Sequence, residues 1–388
     1  MIYFDNNATT RVADEAVEAM LPYLTEHYGN PSAGYKFAKE CKAAIQRARE
    51  QMALFIGADP EEIVFTGCGT ESNNAAVFSA LQTQPGKRHI ITTAVEHSAI
   101  LKYLAEQEDC EVTVLPVDQD GRFSIDALET AIREDTALVT AMLANNETGV
   151  VSPIFEAADK LRSRGILFHT DAVNAAGKSS IRLAGSGIHM LSLSGHKFHA
   201  PKGIGALYVN RNIRFQPLLI GGGQENGRRS GTEAVPNIAS MGRAAVMATA
   251  FLDAGGERDL AAMRDRFEEK VIGGLDGVHR NGSCEHRLAN TSHLSFDGLD
   301  AGEMLILLDE KGVCCSSGSA CSTGESKPSH VMIAMGHSDA RAKSSLRFSF
   351  SRYNTLDEIE KGADTVIACA KKLHSLKPSG SGPVIVSG

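Results

Sequence analysis

Residues 63–72 read Ile63-Val64-Phe65-Thr66-Gly67-Cys68-Gly69-Thr70-Glu71-Ser72. The first four form an unbroken β-branched and aromatic run, as expected of a strand buried on both faces. Two glycines then let the chain turn, and residues 72–81 carry helical composition. A strand passing through a glycine turn into a helix is the repeating unit of an α/β sheet. Outward from this stretch the alternation recurs. Further strands are expected at 89–94, 111–117, 137–144, 166–170, 190–194 and 205–209, and further helices at 38–56, 99–108, 125–133 and 155–164. The fold class is therefore α/β, with a mostly parallel sheet covered on both faces.

A long helical stretch, 235–252, runs into Ala254-Gly255-Gly256, which reads as a domain joint. Beyond it a helix (257–274), short strands (293–296 and 344–350) and a last helix (356–376) predict a smaller α+β domain. The expected division is a large domain over 14–254, a small domain over 255–376 joined by 1–13, and a mobile Ser/Gly/Pro-rich tail over 377–388.

The 388 residues are 43% hydrophobic and 22% charged, which excludes wholesale disorder, and the net charge of −8 comes without a dense basic block. Nucleic-acid binding is not expected. No run approaches the length of an apolar membrane span, and Met1–Asp5 leads straight into structured-looking sequence, so a cytoplasmic protein is expected. The eight cysteines are Cys41, Cys68, Cys110, Cys284, Cys314, Cys315, Cys321 and Cys369. They are too sparse for a disulfide framework, and without a CxxC pair they do not form a zinc ribbon.

Ligands of an open α/β sheet bind beyond the carboxyl ends of its strands. Five expected strand ends carry polar chemistry there. Gly67–Asn73 offers glycines, the Thr70 hydroxyl and a helix start, a possible phosphate cradle or an ordinary capped turn. His97 follows the second strand and either packs or stacks on a planar ring. Asn145-Asn146-Glu147-Thr148-Gly149 is an Asx turn or a source of amide donors. Asp171 ends another strand with Asn174 beyond it. It caps the next segment or pairs with a protonated ring nitrogen. Lys197, in Ser194-Gly195-His196-Lys197, is a surface lysine or a Schiff-base amine. Together these groups fit pyridoxal 5′-phosphate (PLP) better than five separate bland explanations.

These segments, in this order with Arg228-Arg229-Ser230-Gly231-Thr232, resemble the cysteine desulfurases of the NifS/IscS type, in the class V aminotransferase group of fold-type I PLP enzymes. The resemblance runs from Asp5-Asn6-Asn7-Ala8-Thr9-Thr10 to Ser345-Leu346-Arg347-Phe348-Ser349 and includes Ser316-Ser317-Gly318-Ser319-Ala320-Cys321. It implies a fold-type I PLP-dependent transferase in which Lys197 carries the cofactor and moves protons at the substrate Cα. Asp171 would pair with the ring nitrogen, and His97 would stack on the ring and assist proton transfer. Gly69, Thr70, Ser194 and His196 would hold the phosphate, Asn146 and Asn174 would lie near the phenolic oxygen, and Arg347 would take the substrate carboxylate. Thr232 would reach the neighbouring subunit's phosphate, which implies a homodimer. Cys321 would be the nucleophile, taking sulfur from L-cysteine as a persulfide, releasing L-alanine and passing the sulfur to an acceptor protein such as an iron–sulfur scaffold. The 26 positions between Cys321 and Arg347 resemble the long-loop group I branch. The sequence departs from the family in having Asn174 for a usual Gln, Cys68 for Ser or Ala, Tyr35 for His and Ala38 for Gly.

Three other readings compete: a selenocysteine lyase or another class V aminotransferase; more remotely, a metal or Fe–S protein built on Cys314, Cys315, Cys321 and His330; and a scaffold that keeps the fold without catalysis, against which both Lys197 and Cys321 are present. No metal site is expected, because adjacent cysteines rarely ligate one ion.

Overall fold

The computed structural model describes residues 1–318 and 328–376. Cys321 and the expected tail 377–388 lie outside the described residues. The chain opens with a short strand β1 (Ile2–Tyr3). Seven strands then build the main sheet: β2 (Ile63–Thr66), β3 (His89–Thr93), β4 (Glu111–Leu115), β5 (Thr136–Thr140), β6 (Leu167–Asp171), β7 (Met190–Ser194) and β8 (Gly205–Val209). Their spatial order is β2-β8-β7-β6-β5-β3-β4. The neighbours from β7 through β4 are parallel, while β8 is antiparallel to both β7 and β2. Every residue of β2, β3 and β5 to β8 is buried, which the apolar runs of a two-face-covered sheet require. Since β2 runs with the parallel strands, the five chemically unusual strand ends emerge on one edge.

The direction of β8 has a simple cause. Only residues 195–204 join β7 to β8, and they hold one short turn, Gly195–Lys197, too little for a parallel crossover. The fifth strand also ends earlier than 144. Beyond Thr140 the chain stays extended, with Ala141 N–H on His169 O and Leu143 N–H on Asp171 O. It then turns because Asn145 Oδ1 accepts from the N–H groups of Glu147 (2.9 Å) and Thr148 (3.0 Å).

The helix Val235–Asp253 packs along Lys39–Ile56 on one face of the sheet. After Gly255, in the left-handed region, the helix Gly256–Gly274 leads to a four-stranded antiparallel sheet. Its strands are β9 (Val278–Arg280), β10 (Thr291–Phe296), β12 (Ser316–Ser317) and β13 (Ser345–Ser349), and the intervening β11 (Val313–Cys314) pairs in parallel with β1. Here Phe4 meets Phe350 edge-on at 4.9 Å and Phe267 at 5.7 Å. Aromatic pairs of this kind add about 0.5–1.5 kcal/mol each beyond burial. The N-terminal segment is thus anchored in the C-terminal α+β core rather than in the large sheet. Among the described residues no helix is long and apolar enough to cross a membrane.

Candidate active site

A cavity of about 190 Å³ opens at the carboxyl edge of the large sheet. Gly69, Thr70, His97, Asn146, Asp171, Asn174, Ser194, His196 and Lys197 all line it, carried by five separate strand ends. Thr232 does not. It is exposed and lines a second cleft of about 180 Å³ with Gly67 and Glu225. Arg347 is also absent from the cavity wall, sitting one layer behind it on β13.

The floor of the cavity is set by a close approach. A Cβ on Gly69 would lie 2.8 Å from Val173 Cγ2 and 3.2 Å from Ser194 Cβ, so only glycine leaves that space open without displacing a neighbour. Gly69 begins a 15-residue helix, Gly69–Thr83, with Cys68 at its cap accepting from Glu71 N–H at 3.5 Å. The first-turn N–H groups of such a helix lack intrahelical partners and favour an anion. Outside the turn, Glu71 bonds the N–H of Gly67 at 2.7 Å and pairs with Arg229 at 2.8 Å, which fixes the loop.

Asp171 is buried, and both its oxygens are held: Oδ2 accepts from Asn73 Nδ2 at 2.6 Å and Oδ1 from Val173 N–H at 2.9 Å. Each oxygen retains a lone pair. A carboxylate fixed in this way can accept a ring N–H without reorganising. His97 accepts the Ala99 N–H on Nδ1 at 3.1 Å, which places the neutral ring's proton on Nε2. The protein packed around the ring lowers the His97 pKa, Asp171 opposes that shift, and Lys197 and His330 reinforce it, although the residue is exposed where it lines the cavity. His196 is pushed down to about 4 by burial and by nearby lysines, so it too is neutral, and its Nδ1 lies 3.2 Å from Thr9 Oγ1. Lys197 Nζ donates to the carbonyls of Asn7 and Ala8, the latter at 3.0 Å. The Asn-Asn-Ala-Thr stretch at the start of the chain thereby positions the lysine.

Two buried carboxylates sit behind the cavity. Burial pushes Glu96 up to about 8, against opposing bonds from Thr93 (2.7 Å) and the Met142 N–H (2.8 Å). Burial likewise pushes Glu147 up to about 7, opposed by the Ser329 hydroxyl at 2.5 Å and by Arg347. Cys314 and Cys315 are half-buried, and burial raises both thiols, Cys315 well above the ordinary range, which disfavours the thiolate form. Among the described residues no group of three or more His, Cys, Asp or Glu side chains could hold a metal ion.

Sequence reasoning gave no role to Asn73 or Lys178. Asn73 does its work across 98 positions of chain, so local spacing carries no signal for it. Lys178 stands four residues after Asn174 in a run of turns, close enough in sequence for that spacing to serve as a signal.

The chain belongs to the class V aminotransferase family, whose profile (Aminotransferase class-V) matches residues 2–361. Curated relatives that it matches include cysteine desulfurases. That of Trichormus azollae is 47% identical over 380 residues, covering 97% of this chain and 95% of its own. The cysteine desulfurase NifS of Azotobacter vinelandii is 45% identical over 389 residues, covering 99% and 96%. A solved structure of a NifS-like protein superposes with a TM-score of 0.87 at 34% identity, over 97% of this chain and all of the other.

Proposed function

We propose that this chain is a PLP-dependent L-cysteine desulfurase that forms L-alanine and holds the released sulfur as a persulfide on Cys321. The observation that carries the reading is the convergence in one cavity of an amine, a fixed carboxylate, a neutral imidazole and a hydroxyl-rich helix start. These residues fit PLP. Thr70, Ser194 and His196, with the backbone at Gly69, suit a phosphate. Asp171 suits a ring N–H, and the amides of Asn146 and Asn174 suit the phenolic oxygen. Lys197 is the amine that anchors the group. When bound, PLP supplies the electron sink that makes the substrate Cα–H acidic and its C–S bond breakable.

The chain's own residues do the rest. Arg347 offers its guanidinium to the substrate carboxylate. Lys197 takes the proton from the substrate Cα and returns one later, with His97 Nε2–H as the neighbouring donor. The Cys321 thiolate forms an S–S bond with the substrate sulfur as the substrate's C–S bond breaks. The persulfide then passes to an acceptor protein. We further propose a cytoplasmic homodimer, with Thr232 completing the partner's phosphate site. Its exposure outside its own cavity favours that placement.

Titration of the purified protein with PLP, followed by alanine assay from L-cysteine, tests the reading. A visible cofactor band and alanine formation, both lost in Lys197→Ala, are expected. Failure to take up PLP would overturn it. Turnover of selenocysteine but not cysteine would favour a selenocysteine lyase instead.

A further inference from the structure

Lys178 is buried at 5% exposure, and among the described residues no carboxylate pairs with it. Its Nζ donates twice to one residue, to the backbone carbonyl of Asn174 at 2.8 Å and to Asn174 Oδ1 at 3.1 Å. Burial holds its pKa well below the ordinary lysine value, and the nearby charges of Lys197 and Arg347 push the same way. A buried amine with no counter-ion is expensive to keep. A packing role alone would be served better by an apolar side chain.

The neighbour explains it. Asn174 lines the cavity, and its amide has an accepting end and a donating end of nearly equal size. With Oδ1 held by Lys178, Nδ2 is left toward the Asn145 carbonyl at 3.4 Å, a long contact that fixes little alone. Without a donor at Lys178, the amide could rotate and present its oxygen to the cavity.

We propose that Lys178 is a positioning residue which, by occupying Asn174 Oδ1, turns the amide so that its N–H faces the place where the cofactor's phenolic oxygen sits. The proposal rests on PLP occupying this cavity. An N–H beside that oxygen favours its ionised form, and the charge on the ring sets the visible absorption of the bound cofactor. Lys178 therefore acts on the cofactor only through Asn174.

The test is a double-mutant cycle on holoenzyme. Wild type, Lys178→Met, Asn174→Ala and the double variant are compared by visible spectrum and by PLP titration of the apo-protein, with circular dichroism as the fold control. Lys178→Met and Asn174→Ala should displace the band in the same direction. Each should weaken PLP binding about three- to tenfold, the worth of one hydrogen bond. The double variant should be no worse than Asn174→Ala. Lys178→Gln, which fills the site and keeps an N–H for Oδ1, should restore the wild-type band, and it serves as the test if the Met variant does not fold. A wild-type spectrum in folded Lys178→Met, an equal further shift on the Asn174→Ala background, or a folded Lys178→Gln shifted as far as Asn174→Ala would each overturn the proposal. Absence of any cofactor band in the wild type would instead overturn the functional reading, and this inference with it.

Discussion

Arg347 Nη1 donates to the backbone carbonyl of Asn146 at 2.7 Å, so a side chain of the C-terminal sheet grips the loop whose own amide lines the cavity. Nη2 is paired with Asp5, also at 2.7 Å, and Nε is buried without a partner among the described residues. The guanidinium is therefore fixed in place through two of its five N–H groups. It is held at once by the first residues of the chain and by the loop that follows β5.

Replacing Arg347 by Lys keeps the charge but loses the planar fork. Charge-assisted bonds are worth about 1.5–3 kcal/mol, so KM for L-cysteine should rise roughly ten- to hundredfold, with a smaller change in kcat. Steady-state kinetics check the split. An unchanged KM would mean that Arg347 serves only the Asn146 loop and Asp5.

Glu147 sets a pH dependence of stability. Its folded pKa of about 7, raised by burial, lies above the ordinary 4.5. Between those values the folded protein holds a proton that the unfolded chain has released, so Glu147 makes stability fall as pH rises through that window. Above about pH 7 its effect is constant. Glu147→Gln removes this slope. Across the window the variant should gain up to about 3 kcal/mol relative to wild type in urea unfolding. Parallel stability curves would contradict the account.

Gly205 sits where β8 passes against the turn at residues 66–68. A Cβ there would lie 2.7 Å from the Cys68 carbonyl carbon, and backbone cannot swing aside as a side chain can. Gly205→Ala should lower stability by about 1–3 kcal/mol and weaken PLP binding at least about tenfold. Gly223→Ala, with no atom of the described residues within 4 Å of the added carbon, should change neither and serves as the control. Thermal unfolding and PLP titration of both variants decide it.

His97 caps the helix Ser98–Ala105 through Nδ1 and also lines the cavity, so the two contributions can be separated by substitution. Asn is also a good cap. His97→Asn should therefore melt within a few degrees of wild type while kcat drops by about 10²–10⁴. A large loss of melting temperature with kcat retained would reverse that assignment.

Much of this was legible in the sequence because it depends on runs and order. The buried strands announce themselves as apolar stretches, and a parallel sheet delivers their ends to one edge whatever the loops do. Nine cavity-lining residues follow from that geometry. What was hidden is tertiary. Asn73 orients Asp171 from a helix, and Glu225 holds β2 through Arg49 at 2.6 Å and the Phe65 N–H at 2.8 Å, from 160 positions away. Arg347 was legible as a candidate for a carboxylate, but its grip on Asp5 and Asn146 depends on how the C-terminal sheet docks. The antiparallel β8 was within reach of sequence reasoning, since ten residues cannot make a parallel crossover.

The most direct test of the central claim follows the sulfur. Holoenzyme is mixed with one equivalent of ³⁵S-labelled L-cysteine without reductant, and protein-bound label and free alanine are both counted. The account predicts close to one label per active chain, located by peptide mapping at Cys321, released by dithiothreitol and matched by one alanine. It predicts almost no bound label in Cys321→Ser. Label and alanine at wild-type levels in that variant would contradict it.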